Sequence, residues 1–231
     1  MRHEIRKPQC SGVTVEMNQI IGEMRKPNVS PIAVVGLYRS GSSALAGVLH
    51  RLGVYMGVQF WGNHYEEVRL AERLREFWHE PQLIPTCNRN ERVTFLKEWL
   101  LDQCGSGRSN VGAKHPLLSL SCPELEEAWG PRTKFIWSWR ELDQSIDSIV
   151  RARWNWESPD RIQRTLWNSL EEASQDYSLY RVGYSKMLTS PEATILSLVE
   201  HLELKCDRRM IDDAISFIES HSASQKSRRI V

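Results

Sequence analysis

A short apolar run that leads through a glycine-bounded loop into a helix-like pattern is the feature that most limits how this chain can fold. Residues Ile32–Val35 are continuously apolar and mostly β-branched, which predicts a strand buried on both faces of a parallel sheet. A helix is predicted to begin near Ser42 or Ser43, because apolar residues then recur at helical spacing: Ala44, Leu45, Val48, Leu49 and Leu52. A buried strand that turns directly into a helix is typical of α/β folds.

The loop between these two elements, Gly36–Gly41, predicts a binding site for an anion. Its glycines have the spacing of a P-loop, but Ser42-Ser43 stand where a nucleoside triphosphatase has Lys-Ser or Lys-Thr. Unpaired backbone N–H groups and the positive end of the helix dipole bind phosphate or sulfate at such a loop without a metal. Arg39 adds a forked donor for terminal oxygens. The alternative is a turn that binds no ligand.

A second strand end carries another candidate anion site. Arg140 directly follows the apolar segment Arg132–Trp139, and Ser145 and Ser148 share one face of the helix predicted after it. Ligands of open parallel sheets bind at the carboxyl ends of the strands, so Arg39 and Arg140 together suit a ligand with two separated phosphates. The alternative is an exposed arginine beside two surface serines.

Strands and helices alternate along the chain, which predicts a three-layer α/β fold with a largely parallel central sheet flanked by helices. We expect residues 1–30 to form a partly irregular arm, residues 31–221 a single domain and residues 222–231 a polar, basic tail. Further strands are expected at Gly53–Gly57, Asn110–Lys114, Arg132–Trp139 and Leu179–Tyr184. Further helices are expected at Val15–Met24, Glu66–Trp78, Val93–Leu101, Glu141–Arg153, Pro159–Tyr177, Pro191–Leu202 and Met210–Ile218, with Pro81–Asn90 as a loop.

Composition argues against several classes of protein. The 231 residues carry 30 basic and 29 acidic side chains, a net charge of +1, which lacks the positive field of a nucleic-acid or membrane-surface protein. Five widely spaced cysteines show no zinc pattern and are expected to be reduced. Neither a signal peptide nor a membrane-spanning apolar stretch is evident. We therefore expect a cytoplasmic protein without a nucleic-acid or membrane partner, of unknown oligomeric state.

Three segments, in the same order, resemble motifs of the P-loop sulfotransferases. Tyr38–Ser43 is similar to that family's 5'-phosphosulfate loop, in which Arg or Lys is followed by Ser, Gly and then Thr or Ser. Lys134–Ser148 is similar to its 3'-phosphate motif, in which an arginine at a strand end is followed eight positions later by a serine. Arg181–Thr194 resembles the family's strand–loop–helix segment with a Pro-Glu helix start. The resemblance spans about residues 31–204, and three ordered matches are far more specific than one.

This resemblance implies transfer of a sulfuryl group from 3'-phosphoadenosine 5'-phosphosulfate (PAPS) to a hydroxyl or amine, with no metal required. The implied donor-binding residues are Arg39, Ser40, Gly41, Ser42 and Ser43 for the phosphosulfate end, and Arg140 and Ser148 for the 3'-phosphate. Tyr184 corresponds to a tyrosine that lines the family's nucleotide site, although Ser185-Lys186 replaces the usual acidic pair. Arg228 and Arg229 match late basic residues that often close the 3'-phosphate site. The implied acceptor is an unidentified small molecule or carbohydrate.

The acceptor must lose a proton as it attacks the sulfur, and two residues are candidates for the base. Glu66 corresponds to an acidic residue after the second strand that is the proposed base in many bacterial and tyrosylprotein members. His115 lies one position from the register of the catalytic histidine in cytosolic members, so both candidates stay open. Lys114 is the candidate for stabilising the bridging oxygen or the acceptor side.

Two other functions share the expected fold. A nucleotide or small-molecule kinase with a divergent P-loop would need a loop lysine and an acidic strand end for Mg²⁺, and neither is evident. A non-catalytic nucleotide-binding protein would be favoured if Glu66, Lys114 and His115 all lay far from the loop. Trp154 and Trp156 are candidates either for core packing or for stacking on a ring-bearing acceptor.

Overall fold

A computed structural model describes residues 29–79, 81–104, 108–154 and 156–227, with side chains as far as residue 221. The helix expected at Val15–Met24, most of the N-terminal arm, and Arg228 and Arg229 lie outside the described residues. The described strands are β1 (Ser30–Gly36), β2 (Trp78–His79), β3 (Ile84–Pro85), β4 (Asn110–Lys114), β5 (Lys134–Trp139) and β6 (Leu179–Gly183).

The central sheet has four parallel strands in the order β4-β1-β5-β6. In its register, Val34 of β1 lies beside Lys114 of β4, and Gly36 of β1 lies beside Ser138 of β5. The carboxyl ends of these three strands therefore meet at one edge of the sheet. That edge is where parallel α/β folds bind their ligands.

The described helices cover both faces of this sheet, as the alternating pattern predicts. They are α1 (Ser42–Arg51), α2 (Val68–Phe77), α3 (Arg89–Cys104), α4 (Cys122–Trp129), α5 (Leu142–Arg151), α6 (Pro159–Asp176), α7 (Tyr184–Thr189), α8 (Pro191–Leu202) and α9 (Arg208–Ser227). Two short 3₁₀ turns lie at Gly62–His64 and Pro116–Leu120.

Alternate residues of β1 separate the two halves of the core. Ile32 and Val34 pack with α1 and with α7, α8 and α9, whereas Ala33 and Val35 pack with α2, α3, α4 and α6. All four side chains are buried, because a parallel strand covered by helices on both sides has two apolar faces. The predicted three-layer α/β architecture is confirmed.

Several local expectations differ from the structure. Gly53–Gly57 contributes only an isolated parallel bridge, between Tyr55 and Val111, rather than a strand. The expected loop at Pro81–Asn90 holds β3, which pairs antiparallel with β2. Helices α4 and α7 were not predicted, and Tyr184, expected to end a strand, is the first residue of α7. Helix α9 extends to Ser227, well past the Ile218 expected as its end. Among the described residues, no helix is long and apolar enough to span a membrane.

Candidate active site

The loop that follows β1 has a backbone that only certain residues can adopt. Arg39 has a φ of 63° and Gly41 a φ of 92°, both in the left-handed region. A Cβ atom added to Gly41 would overlap the ring of Tyr184, so glycine is needed there for space as well as for conformation. Helix α1 begins at the next residue, Ser42, and directs its free N–H groups at the loop.

Two buried side chains hold the start of this loop in place, and the sequence analysis missed both. The Ser119 hydroxyl accepts from Gly36 N–H at 2.9 Å and donates to the Gly36 carbonyl at 3.2 Å. The Gln163 amide accepts from Tyr38 N–H at 3.1 Å and donates to the Tyr38 carbonyl at 2.7 Å. A signal for Gln163 was present, because it is a polar residue on the otherwise apolar face of α6.

Most of the predicted donor-binding residues line one cavity of about 330 Å³ at the sheet edge. The Arg39 side chain donates to the Ser148 hydroxyl at 3.2 Å, and Arg140 donates to the Arg39 carbonyl at 2.9 Å. The residues lining the cavity include Arg39, Gly41, Ser43, Arg140, Ser148 and Tyr184, together with Arg151 and His221, which the sequence analysis did not single out. Both predicted anion elements thus face the same space.

The remaining donor-loop serines have different surroundings. Ser40 is fully buried and donates to the Ser138 hydroxyl at 3.3 Å, so its side chain braces the loop against β5 instead of facing the cavity. Ser42 lines a second cavity, on the other side of the loop. Tyr184 lies at the start of α7, where the Arg140 guanidinium is 5.3 Å from the centre of its ring.

Lys114 and Glu66 form a buried ion pair next to the loop. Lys114 ends β4, and its ammonium donates to a Glu66 carboxylate oxygen at 2.7 Å and to the Ser43 hydroxyl at 3.2 Å. Burial lowers the pKa of Lys114, and the Glu66 carboxylate opposes this only in part. Burial raises the pKa of Glu66, but the charge of Lys114 and the hydrogen bond that it donates act in the opposite direction, and the net pKa lies below its usual value. Glu66 is therefore ionised at neutral pH.

His115 lies behind this pair, away from both cavities. It is fully buried, its Nδ1 accepts from Leu117 N–H at 3.1 Å, and it caps the 3₁₀ turn that starts at Pro116. Its Nε2 is 3.9 Å from Glu66 Oε2. Burial, the dominant effect, lowers the pKa of His115 to about 3. The imidazole is therefore neutral at physiological pH, with the proton on Nε2 because Nδ1 is an acceptor.

The second cavity, of about 410 Å³, opens on the Glu66 and Lys114 side of the loop. Arg39, Ser42, Glu66 and Lys114 line it near the loop, and His64, Arg75 and Pro116 line it further out. Four aromatic residues complete it: Tyr38, Trp61, Trp154 and Trp156. Arg39 borders both cavities, so the loop separates a cationic space from a largely aromatic one.

Two solved structures resemble the whole fold. The chain is similar to sulfotransferase STF9 from Mycobacterium avium, with a TM-score of 0.60 and 11% identity over 89% of this chain and 72% of that chain. It is also similar to sulfotransferase STF1 from Mycobacterium tuberculosis H37Rv, with a TM-score of 0.52 and 14% identity over 81% of this chain and 71% of that chain. No family model and no curated protein matches the sequence. The likenesses show a sulfotransferase fold, which the motif resemblance predicted.

Proposed function

We propose that the protein transfers a sulfuryl group from PAPS to a hydroxyl group of a small acceptor. The observation that carries this proposal is the meeting of two cavities at Arg39. One cavity gathers arginines and hydroxyl groups suited to phosphates, and the other contains the Glu66–Lys114 pair. A non-catalytic binding protein would not need an ion pair hydrogen-bonded to the anion loop through Ser43.

The first cavity fits a ligand with two phosphate ends. Among the described residues that line it, none is acidic, and three are arginines: Arg39, Arg140 and Arg151. In the proposal, the loop with Arg39, Gly41 and Ser43 holds the phosphosulfate end. Arg140 and Ser148 hold the 3'-phosphate, and Tyr184 lines the nucleotide. Forked guanidinium groups and backbone N–H groups bind such oxygens strongly.

In the proposed reaction the protein contributes electrostatic stabilisation and proton transfer. When bound, PAPS supplies a sulfuryl group already activated as a mixed anhydride. Glu66 would take the proton of the acceptor hydroxyl as that oxygen bonds to sulfur and the bond between sulfur and the phosphate oxygen breaks. Lys114 would donate a hydrogen bond to that phosphate oxygen, on which negative charge develops as adenosine 3',5'-bisphosphate leaves. Lys114 is already aimed at the loop through Ser43, so little reorganisation is needed.

Glu66 is the better supported of the two candidate bases. Its carboxylate lines the second cavity, in which we place the acceptor and which we call the acceptor cavity; the first cavity is then the donor cavity. His115 lines neither of them. The basic nitrogen of His115 is occupied by Leu117 N–H, and a pKa of about 3 leaves little driving force for accepting a proton. We therefore assign His115 a structural role beneath the pair and Glu66 the role of base.

Nucleotide binding tests the proposal. In calorimetric titrations, adenosine 3',5'-bisphosphate (PAP) should bind, whereas Mg-ATP should bind weakly or not at all. The variant Arg140→Ala should weaken PAP binding at least tenfold while changing adenosine 5'-phosphate binding much less, because it removes a charged donor to the 3'-phosphate. The control is Arg164→Ala, which removes an exposed arginine paired with Asp160. Tight Mg-ATP binding without PAP binding would overturn the proposal in favour of a kinase.

A further inference from the structure

The second cavity has an aromatic character that proton transfer does not require. Tyr38, Trp154 and Trp156 pack edge to face, with ring centres 4.7 Å apart for Tyr38–Trp156, 6.1 Å for Tyr38–Trp154 and 4.9 Å for Trp154–Trp156. We call these three residues the aromatic wall. Trp61 also lines the cavity and is 45% exposed, although large aromatic side chains usually bury more of their surface.

Arg75 is the residue of this cavity that the transfer reaction leaves unexplained. It lines the acceptor cavity and not the donor cavity. Its guanidinium lies over Trp61, 4.1 Å from the ring centre, and its Nη2 is 3.9 Å from Glu66 Oε2. That distance exceeds a hydrogen bond, and Glu66 already has Lys114 at 2.7 Å. Arg75 therefore brings a positive charge into the cavity beyond the one that pairs with Glu66.

We infer that the acceptor is a phenol that also carries an anionic group such as a carboxylate. Its ring lies between the aromatic wall and Trp61, its hydroxyl reaches Glu66, and its anionic group pairs with Arg75. This inference rests on the proposed sulfuryl transfer and names the substrate class of that reaction. The Arg75 guanidinium, which lies over the Trp61 ring, offers the planar fork that a carboxylate matches.

The distances limit the size of such an acceptor. Its hydroxyl must lie within hydrogen-bond reach of Glu66, and its anionic oxygen within reach of Arg75. The Arg75 and Glu66 side chains are 3.9 Å apart. For acceptor groups bound to Arg75 Nη2 and Glu66 Oε2, adding one hydrogen bond of about 2.8 Å at each side gives a separation of at most about 10 Å. A single substituted ring fits this limit, whereas an extended ligand with distant functional groups does not.

The chemistry of the base also favours a phenol over a sugar. Because the pKa of Glu66 lies below its usual value, its carboxylate is a weak base. A phenol, with a pKa of about 10, gives up its proton far more readily than an alcohol, whose acidity is close to that of water.

Equilibrium binding in the presence of PAP tests the inference. The probes are 4-hydroxyphenylacetate, its neutral amide 4-hydroxyphenylacetamide, and glucuronate, which has a carboxylate but no aromatic ring. The wild-type protein should bind the acid at least tenfold more tightly than the amide, and glucuronate more weakly than either. Arg75→Gln should abolish the preference for the acid and leave binding of the amide unchanged. Arg73→Gln, which changes an arginine of the same helix paired with Glu76 and Glu91, should keep the preference.

Each result bears on the inference separately from the proposed function. If PAP does not bind, the proposed function fails and the inference fails with it. If PAP binds but the acid and the amide bind equally, or neither binds, the inference alone is wrong. A preference for the acid that survives Arg75→Gln would also overturn it, and so would tightest binding of glucuronate, which would replace the phenol by a sugar acid.

Discussion

Acid should destabilise this protein, and His115 should make a large contribution to the loss. Its pKa is about 3 in the folded protein, whereas an imidazole in the unfolded chain has a pKa of about 6.5. Above pH 6.5 the imidazole is neutral in both states and does not affect stability. Between pH 6.5 and pH 3 the unfolded chain binds a proton that the folded protein does not, so the free energy of unfolding falls by about 1.4 kcal/mol per pH unit. From pH 6.5 to pH 5 the loss is about 2 kcal/mol.

Urea denaturation across this pH range measures the effect. The variant His115→Asn keeps an oxygen in the place of Nδ1, so it can still accept from Leu117 N–H, but it has no titrating ring. Between pH 6.5 and pH 5 the wild-type protein should lose about 2 kcal/mol more stability than this variant. His79→Asn, which removes an exposed imidazole on β2, controls for the loss of a histidine as such. Equal pH slopes for the wild type and His115→Asn would refute the reasoning.

Three further changes have expected outcomes. Glu66→Gln should lower kcat by about 10²- to 10⁴-fold, because it removes the proposed base. PAP affinity, measured by calorimetry, should stay within a few-fold, since the base acts on the acceptor. An unchanged kcat would show that Glu66 is not the base. Gly41→Ala should abolish PAP binding and lower the melting temperature. The added methyl group would overlap the Tyr184 ring, and alanine is strained at the Gly41 φ of 92°. Normal PAP binding would contradict the loop geometry. Gln163→Leu should reduce stability in urea by about 2 kcal/mol, because two buried backbone groups of Tyr38 lose their partners; a neutral result would mean that water replaces the amide.

Much of the fold could be predicted because its signals are local. The apolar, β-branched residues of β1 and the proline at the start of α8 mark those elements within a few positions. The strand expected at Gly53–Gly57 was wrong, because the pairing of this segment is limited to Tyr55 beside Val111. That pairing depends on where the end of α1 places the chain. The length of α9 was underestimated since its last turns are polar and lack an apolar periodicity.

Topology explains why the candidate residues near strand ends lie close together. Arg39 is in the loop after β1, Lys114 ends β4 and Arg140 directly follows β5, and the carboxyl ends of parallel strands lie at one edge of the sheet. Gln163 contacts Tyr38 across 125 positions of sequence, so no local pattern could pair them. The sequence left two candidate bases open, because it does not reveal that Glu66 lines the second cavity whereas His115 lines neither cavity.

The position of Lys114 has a thermodynamic consequence for the two ligands. One ammonium donates both to Ser43 on the anion loop and to Glu66, which lines the second cavity. In the proposed reaction, a ligand that shifts this ammonium from either side changes the charge felt by the other ligand. Donor and acceptor affinities are then linked, and linkage is reciprocal: the factor by which PAP alters the dissociation constant of an acceptor equals the factor by which that acceptor alters that of PAP. Neither constant describes the protein unless the occupancy of the other cavity is stated with it.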